Sequence, residues 1–124
     1  MPPESPDSKF DRQIGYRVDM MENARIAVHY VAGKDFDAFR GDQILQDAVI
    51  RRLSIVGEAA RLVTEEIREQ LPSLPWKQIM GMRNILIHDY RGVELDHVWD
   101  VAYHHAGQLI EVIEKYLNDR GVHR

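Results

Sequence analysis

The run DQILQDAVIRRLSIVGEAARLVTEEIREQ, from Asp42 to Gln70, decides the fold. At 100° per residue, Ile44, Leu45, Ala48, Val49, Ile55, Val56, Ala59, Ala60, Val63 and Ile67 share one broad face. Arg51, Glu58, Arg61 and Glu65 lie on the other side, and Arg52 falls in the middle of the apolar face. The spacing predicts one uninterrupted helix, the longest of the chain, with Asp42 as its N-cap. Gly57 within it permits either a bend or the close approach of a neighbour.

The same periodicity recurs on both sides of this run. Ile14, Val18, Met21, Ala24, Val28 and Val31 form a stripe that predicts a helix from Phe10 to Val31, ended by Gly33. The segment from Gly33 to Asp42 reads as a loop whose Phe36 and Phe39 plug the end of a bundle. Pro72 and Pro75 break the chain after Gln70, and Pro75 suits the first turn of a third helix holding Trp76, Ile79, Met80, Met82, Leu86 and Ile87. That helix stops between Asp89 and Gly92. A fourth opens at Asp96 or Glu94 and runs to about Asn118, with Val98, Ala102, His105, Leu109, Ile113, Tyr116 and Leu117 as its core stripe and Gly121 at its end. No segment alternates at period two for long enough to be a strand. The expectation is an all-α, up-and-down four-helix bundle: one domain over residues 10–120, behind a proline-rich flexible tail over residues 1–9.

Composition narrows the function. The chain has 124 residues, a net charge of −4 and no cysteine. Cysteine-free chains have no disulfide framework, thiolate metal site or thiol nucleophile. An acidic chain does not hold nucleic acid by bulk electrostatics, so a phosphate ligand needs a local cluster of arginines. No apolar run approaches the ~18 residues of a spanning helix, and no secretory start is visible, so a cytoplasmic protein without a membrane partner is expected.

One window carries reactive chemistry: Met82-Arg83-Asn84-Ile85-Leu86-Ile87-His88-Asp89-Tyr90. On a helical wheel Arg83 lies near the centre of the apolar arc formed by Trp76, Ile79, Met80, Leu86, Ile87 and Tyr90. An unpartnered guanidinium in a dry interface costs several kcal/mol, because arginine does not escape by losing its proton. Either a carboxylate meets it, with Glu58 and Glu65 as candidates, or that face lines a wet groove. His88 lies about 140° round the helix from Arg83, so the two converge only if the helix bends or ends between them, or if a second copy supplies one of them. Asn84, one turn before His88, can orient its ring or contact a phosphate.

Such a set suits phosphodiester transfer in RNA. A histidine of near-neutral pKa accepts the proton of a ribose 2′-hydroxyl or gives one to the leaving oxygen, and an arginine stabilises charge on the phosphoryl oxygens. An ordinary bundle also accommodates these residues, with Arg83 in a buried ion pair, His88 at a helix C-terminus and Tyr90 as a core aromatic. Arg51 and Arg52 are candidates for auxiliary phosphate contacts, though a solvated face or an ion pair explains them as well. Trp99 and Tyr103, four apart, are expected to pack together. His104 and His105 point about 100° apart and do not chelate together, and His29 and His97 lack partners at helix spacing, so neither metal nor cofactor is expected.

Arg83-x4-His88-x-Tyr90 resembles the signature of the HEPN superfamily, and the chain is similar to the HepT-like ribonuclease toxins. Ile55-Val56-Gly57-Glu58-Ala59-Ala60, Leu74-Pro75-Trp76-Lys77-Gln78-Ile79 and Val98-Trp99 extend the likeness across residues 12–117. The resemblance implies a homodimer formed through the motif-bearing helices, with two motifs facing each other in a composite cleft. It implies metal-independent endoribonuclease activity, with Arg83 and His88 as catalytic residues and Asn84 and Asp89 at variable motif positions. It also implies an MntA-like nucleotidyltransferase antitoxin that adenylylates Tyr90, placing bulk and negative charge where RNA phosphate would bind. Some relatives of this kind bind nucleotide or partners without cleaving anything. The alternative is therefore a non-catalytic helical module that docks a small nucleotidyltransferase.

Overall fold

The structure, a computed structural model, describes residues 6–86 and 94–122. Among these the chain is all-α, without a strand, as expected. The first helix, α1 (Pro6–Val31), begins before the expected Phe10, because proline is tolerated in a first helical turn. The predicted 33–42 loop contains a short helix, α2 (Phe36–Arg40), capped by Asp35, whose side chain accepts from Ala38 N at 2.8 Å. Phe39 is buried, and Phe36 and Phe39 both meet the Trp99 ring, so the aromatic plug is present.

Asp42 caps α3 (Gln43–Leu62) as predicted, accepting from Leu45 N at 3.0 Å. The expected single helix to Gln70 is instead two. Val63 is extended, Thr64 caps α4 (Glu65–Glu69), and the Thr64 side chain accepts from Ile67 N. The break is held from across the bundle by Gln13 on α1. Its Nε2 donates to Leu62 O at 3.0 Å, and its Oε1 accepts from Thr64 N at 2.9 Å. These are backbone groups that an unbroken helix would pair internally, and one amide side chain satisfies both. The break keeps the Val63 side chain in the core.

The third rod starts as α5 (Trp76–Gly81) and tightens into a 3-10 turn over Met82–Leu86. The fourth comprises α6 (Leu95–Asp100), a π turn over Val101–His105 and α7 (Ala106–Asp119). The wider turn corrects the expectation for His105. It leaves the core stripe and becomes exposed, while Ala106 takes the inward position. Val98, Ala102, Leu109, Ile113, Tyr116 and Leu117 are buried as expected.

α1 packs along α3 on one side and α7 on the other, and α3 also carries α5 and the 3-10 turn. The central position of α1 buries a wider arc than one stripe: Gln13, Arg17, Met20 and Ala27 are inside as well. On α3 the buried face is rotated from the expected one. Ile50, Leu53 and Ser54 are inside, whereas Ile44 is 84% exposed. Trp99 and Tyr103 stack as predicted, with ring centroids 4.8 Å apart and planes at 19°.

Candidate functional site

The site is built where the 3-10 turn crosses α3, and a missing side chain makes the crossing possible. A Cβ placed on Gly57 would lie 2.5 Å from Arg83 N, 2.8 Å from Ile79 O and 3.2 Å from the Met82 carbonyl carbon. All three are backbone atoms that cannot rotate aside. Gly57 therefore acts as the site of close approach rather than as a bend, and it brings the Arg83 backbone against α3.

Of the two ways to accommodate Arg83, a carboxylate partner or a wet groove, the structure shows both. Arg83 Nε lies 2.8 Å from Glu58 Oε2, and Arg61 Nη1 reaches the same oxygen at 3.5 Å. Glu65, the other candidate, makes no such pair among the described residues. The surroundings are wet: the Arg83 side chain is 39% exposed and that of Glu58 51%. An exposed pair of this kind contributes about 0–1 kcal/mol, too little to be the reason Arg83 sits there. The backbone contact at Gly57 places Arg83, and Glu58 neutralises it.

Arg83 and Glu58 open onto a groove of about 460 Å³ whose floor is α3 and whose walls include Tyr16 and Asp19 of α1. Arg51, Ile55 and Leu62 line the same groove. Arg51 is exposed, and its side chain has no hydrogen-bond or ion-pair partner among the described residues. Arg52 does not join it: its Nη1 donates to Asn23 Oδ1 of α1 at 3.1 Å, outside the groove lining. The groove lining thus carries Arg51 and Arg83 with two carboxylates, Glu58 and Asp19, while Arg61 reaches Glu58 from outside it. Within an acidic protein the two arginines are a local source of the cation a phosphate needs, balanced here by the two carboxylates. Asn84 is exposed on the same 3-10 turn. His88, Asp89 and Tyr90 lie outside the described residues. Beneath the turn, Ile79 and Met82 form part of an apolar cavity of about 310 Å³. At its edge His105 Nε2 lies 3.1 Å from Asp100 Oδ2.

One buried charge is absent from the sequence reading. Arg17 is 2% exposed. Its Nε donates to Gln13 O at 3.0 Å, its guanidinium lies 4.9 Å from the Tyr116 ring centroid, and its Nη1 is buried without a hydrogen-bond partner among the described residues. Burial holds its pKa below the ordinary arginine value. Tyr116 opposes that shift, and the nearby Arg120 adds to it. The signal was present in the three- and four-residue steps Gln13, Arg17, Met20, Ala24, Ala27 and Val31.

Among the described residues no three metal-ligating side chains cluster, and no helix is long and apolar enough to cross a membrane. The chain matches the family described as ribonuclease HepT-like over residues 20–116. It is 33% identical over 96 residues to "Putative RNase MJ1380" of Methanocaldococcus jannaschii, covering 77% of this chain and 88% of that one. It is 33% identical over 100 residues to "Probable ribonuclease HepT" of Thermococcus cleftensis, covering 81% and 91%. It is 32% identical over 102 residues to "Putative RNase TTE0752" of Caldanaerobacter subterraneus subsp. tengcongensis, covering 82% and 91%. No solved structure matches it significantly. Motif, all-helical fold and matched length agree, and the chain belongs to the ribonuclease HepT-like family.

Proposed function

We propose that this ribonuclease is the toxin of a toxin-antitoxin pair, a metal-independent endoribonuclease acting as a homodimer in the cytoplasm. The observation that carries the reading is the placement of Arg83 by Gly57 in a groove that also holds Arg51, whose side chain has no partner among the described residues. In this reading the RNA phosphate displaces Glu58 from Arg83, whose N–H groups then stabilise charge on the non-bridging oxygens. The ribose 2′-oxygen bonds to phosphorus as the bond from phosphorus to the 5′-oxygen breaks, leaving a 2′,3′-cyclic phosphate and a 5′-hydroxyl. One proton leaves the 2′-hydroxyl and one arrives on the 5′-oxygen. His88 serves one of these transfers, and in a composite cleft the second copy's His88 serves the other. Asn84 and Asp89 support the histidine and the phosphate, and Arg51 adds charge along the strand.

A nucleotidyltransferase antitoxin of the MntA-like kind switches the enzyme off by adenylylating Tyr90. The adduct places a phosphodiester charge and a nucleoside in the path of the substrate. The decisive experiment uses purified chain free of its partner, incubated with RNA in EDTA. Cleavage is expected, with loss of about 100-fold or more in Arg83→Ala and in His88→Ala while the fold is retained. Activity persisting in both variants would sink the assignment and favour the docking module. Intact mass after co-production with the nucleotidyltransferase tests the switch: adenylate increments are expected, and Tyr90→Phe loses them together with the inhibition.

A further inference from the structure

A ladder of aromatic rings runs from the core at one end of the bundle out to solvent. Phe39, fully buried, meets Trp99 with ring centroids 5.4 Å apart and planes at 42°. Trp99 in turn stacks on Tyr103 at 4.8 Å and 19°. There the ladder reaches the surface, because Tyr103 is 51% exposed. The inner rungs close the bundle, as core aromatics do. The outer rung is half in water, and core packing does not account for it.

The π turn over Val101–His105 shapes this end of the ladder. Between the buried Ala102 and Ala106, three consecutive ring side chains, Tyr103, His104 and His105, all stand exposed. The His104 imidazole lies 5.0 Å from the Tyr103 ring, with the planes at 71°. Wide turns of this kind inside α-helices are frequent at functional sites. Two cations of this region already have carboxylates: Arg40 lies 3.1 Å from Asp37, and His105 lies 3.1 Å from Asp100. The surface therefore offers flat rings rather than surplus positive charge. The ligand it suits is a planar group with a π-face and a polar edge, not a phosphate.

We propose that Tyr103 stacks an unpaired base of an RNA strand, so that the protein holds its substrate at two places, a phosphate in the Arg83 groove and a base on the ladder. The identity of the ligand rests on the ribonuclease reading above. The exposed His104 imidazole meets the edge of the stacked base. Gln46 Nε2 donates to Phe39 O at 3.0 Å, which sets the inner rung level with Gln46 on α3, and the Arg83 backbone is level with Gly57. The two levels are about 16 Å apart along α3. Stacked nucleotides advance about 3.4 Å each, so this span corresponds to about five of them. A duplex covers its base faces with their neighbours, so the ladder selects single-stranded RNA.

The test reads binding without cleavage. A fluorescein-labelled single-stranded 2′-O-methyl oligonucleotide lacks the attacking hydroxyl, and its affinity for the full chain is measured by anisotropy. Tyr103→Ala and Tyr103→Leu are each expected to weaken binding by about fivefold or more, and Tyr103→Phe to stay within about twofold of the parent. Leucine keeps apolar bulk without a flat face, so parental affinity in Tyr103→Leu overturns the stacking. Parental affinity in Tyr103→Ala overturns it as well, and leaves the ring as a contact for protein. The same strand built from abasic nucleotides keeps its phosphates and loses its bases. Tyr103→Ala should leave affinity for that strand unchanged, and an equal loss on both strands counts against the proposal. Salt gives an independent reading. The slope of log affinity against log salt should be the same in Tyr103→Ala as in the parent, whereas Arg83→Ala flattens it. A flattened slope in Tyr103→Ala makes the residue part of a phosphate contact and overturns the base platform. Base-dependent binding through Tyr103 in a chain that cleaves no RNA overturns the ribonuclease reading and leaves the platform standing. Cleavage with parental kcat and KM in Tyr103→Ala does the reverse.

Discussion

On the seam between α1 and α7, Arg17 is almost wholly buried and meets a carbonyl and the Tyr116 ring but, among the described residues, no carboxylate. On the seam between α3 and the 3-10 turn, Arg83 is partly exposed and has a carboxylate at 2.8 Å. The two guanidiniums are held in opposite ways. Arg17 is fixed by everything around it: Gln13 beneath, Tyr116 beside, and Arg120 over the far side of that ring at 3.6 Å. Arg83 is placed by its backbone contact at Gly57, and its head, paired with Glu58, is partly open to water. A charge with no exit from the core serves the fold, whereas a charge held at its root and free at its tip is available to a ligand. The contrast makes separable claims about stability and activity.

The largest expected effect on stability falls on the buried arginine. Arg17→Ala removes a buried stem beside the Tyr116 ring and leaves a cavity, at a cost of about 3 kcal/mol in urea unfolding. Arg17→Met keeps most of the volume and discards the desolvated charge, so its stability should fall within about 1 kcal/mol of the parent or above it. If methionine costs as much as alanine, the charge itself holds the seam and the comparison with Arg83 fails.

Next is the residue that positions Arg83. Gly57→Ala forces a methyl against backbone atoms at 2.5 and 2.8 Å, so the turn must move off α3. About 1–3 kcal/mol of stability should go, as in other overpacked interfaces. A shift of about 1 Å in Arg83 is worth on the order of 100-fold in rate. An alanine variant with parental cleavage would show that the position of Arg83 does not matter.

Gln13 tests how the site-bearing helix is ended. Gln13→Ala strands Leu62 O and Thr64 N at the α3–α4 break and should cost about 1–2 kcal/mol. It should have little effect on RNA cleavage, because the groove above Leu62 keeps its other walls. A loss of cleavage larger than the loss of stability would place the break inside the working site.

These positions also show where the sequence was readable. The close approach at Gly57, one of the two roles open to it, and the choice of a carboxylate or a wet groove for Arg83 follow from local chemistry, a residue without Cβ on a packed helix and a charge on an apolar arc. The α3–α4 break does not follow in that way. Val63 and Ile67 keep the helical period across it, and the side chain that stabilises it comes from Gln13, about fifty residues earlier. The displacement of His105 has a similar origin. A π turn shifts the register by one residue without altering the local pattern of polar and apolar types. Arg17 was concealed because a charge at a core spacing is ordinarily read as the solvent side. Its burial depends on α1 being packed on two flanks at once, a fact of assembly rather than of the helix itself.

The smallest effect on stability belongs to the residue on which activity depends most. Arg83→Ala removes an ion pair exposed on both sides, so its unfolding free energy should stay within about 1 kcal/mol of the parent. Its stem lines the groove rather than the core, so no cavity opens to add to that figure. Glu58 retains Arg61 at 3.5 Å and is not left without a counter-charge. Paired measurements of urea unfolding and RNA cleavage on Arg83→Ala and Arg17→Met then read the comparison directly. The first variant should be stable and inactive. The second should be stable and active, because Arg17 lies outside the groove and its volume is kept. A destabilised Arg83→Ala would mean that the Glu58 pair braces the turn as much as the Gly57 contact does, and Arg83 would then belong with Arg17 among the residues that build the bundle.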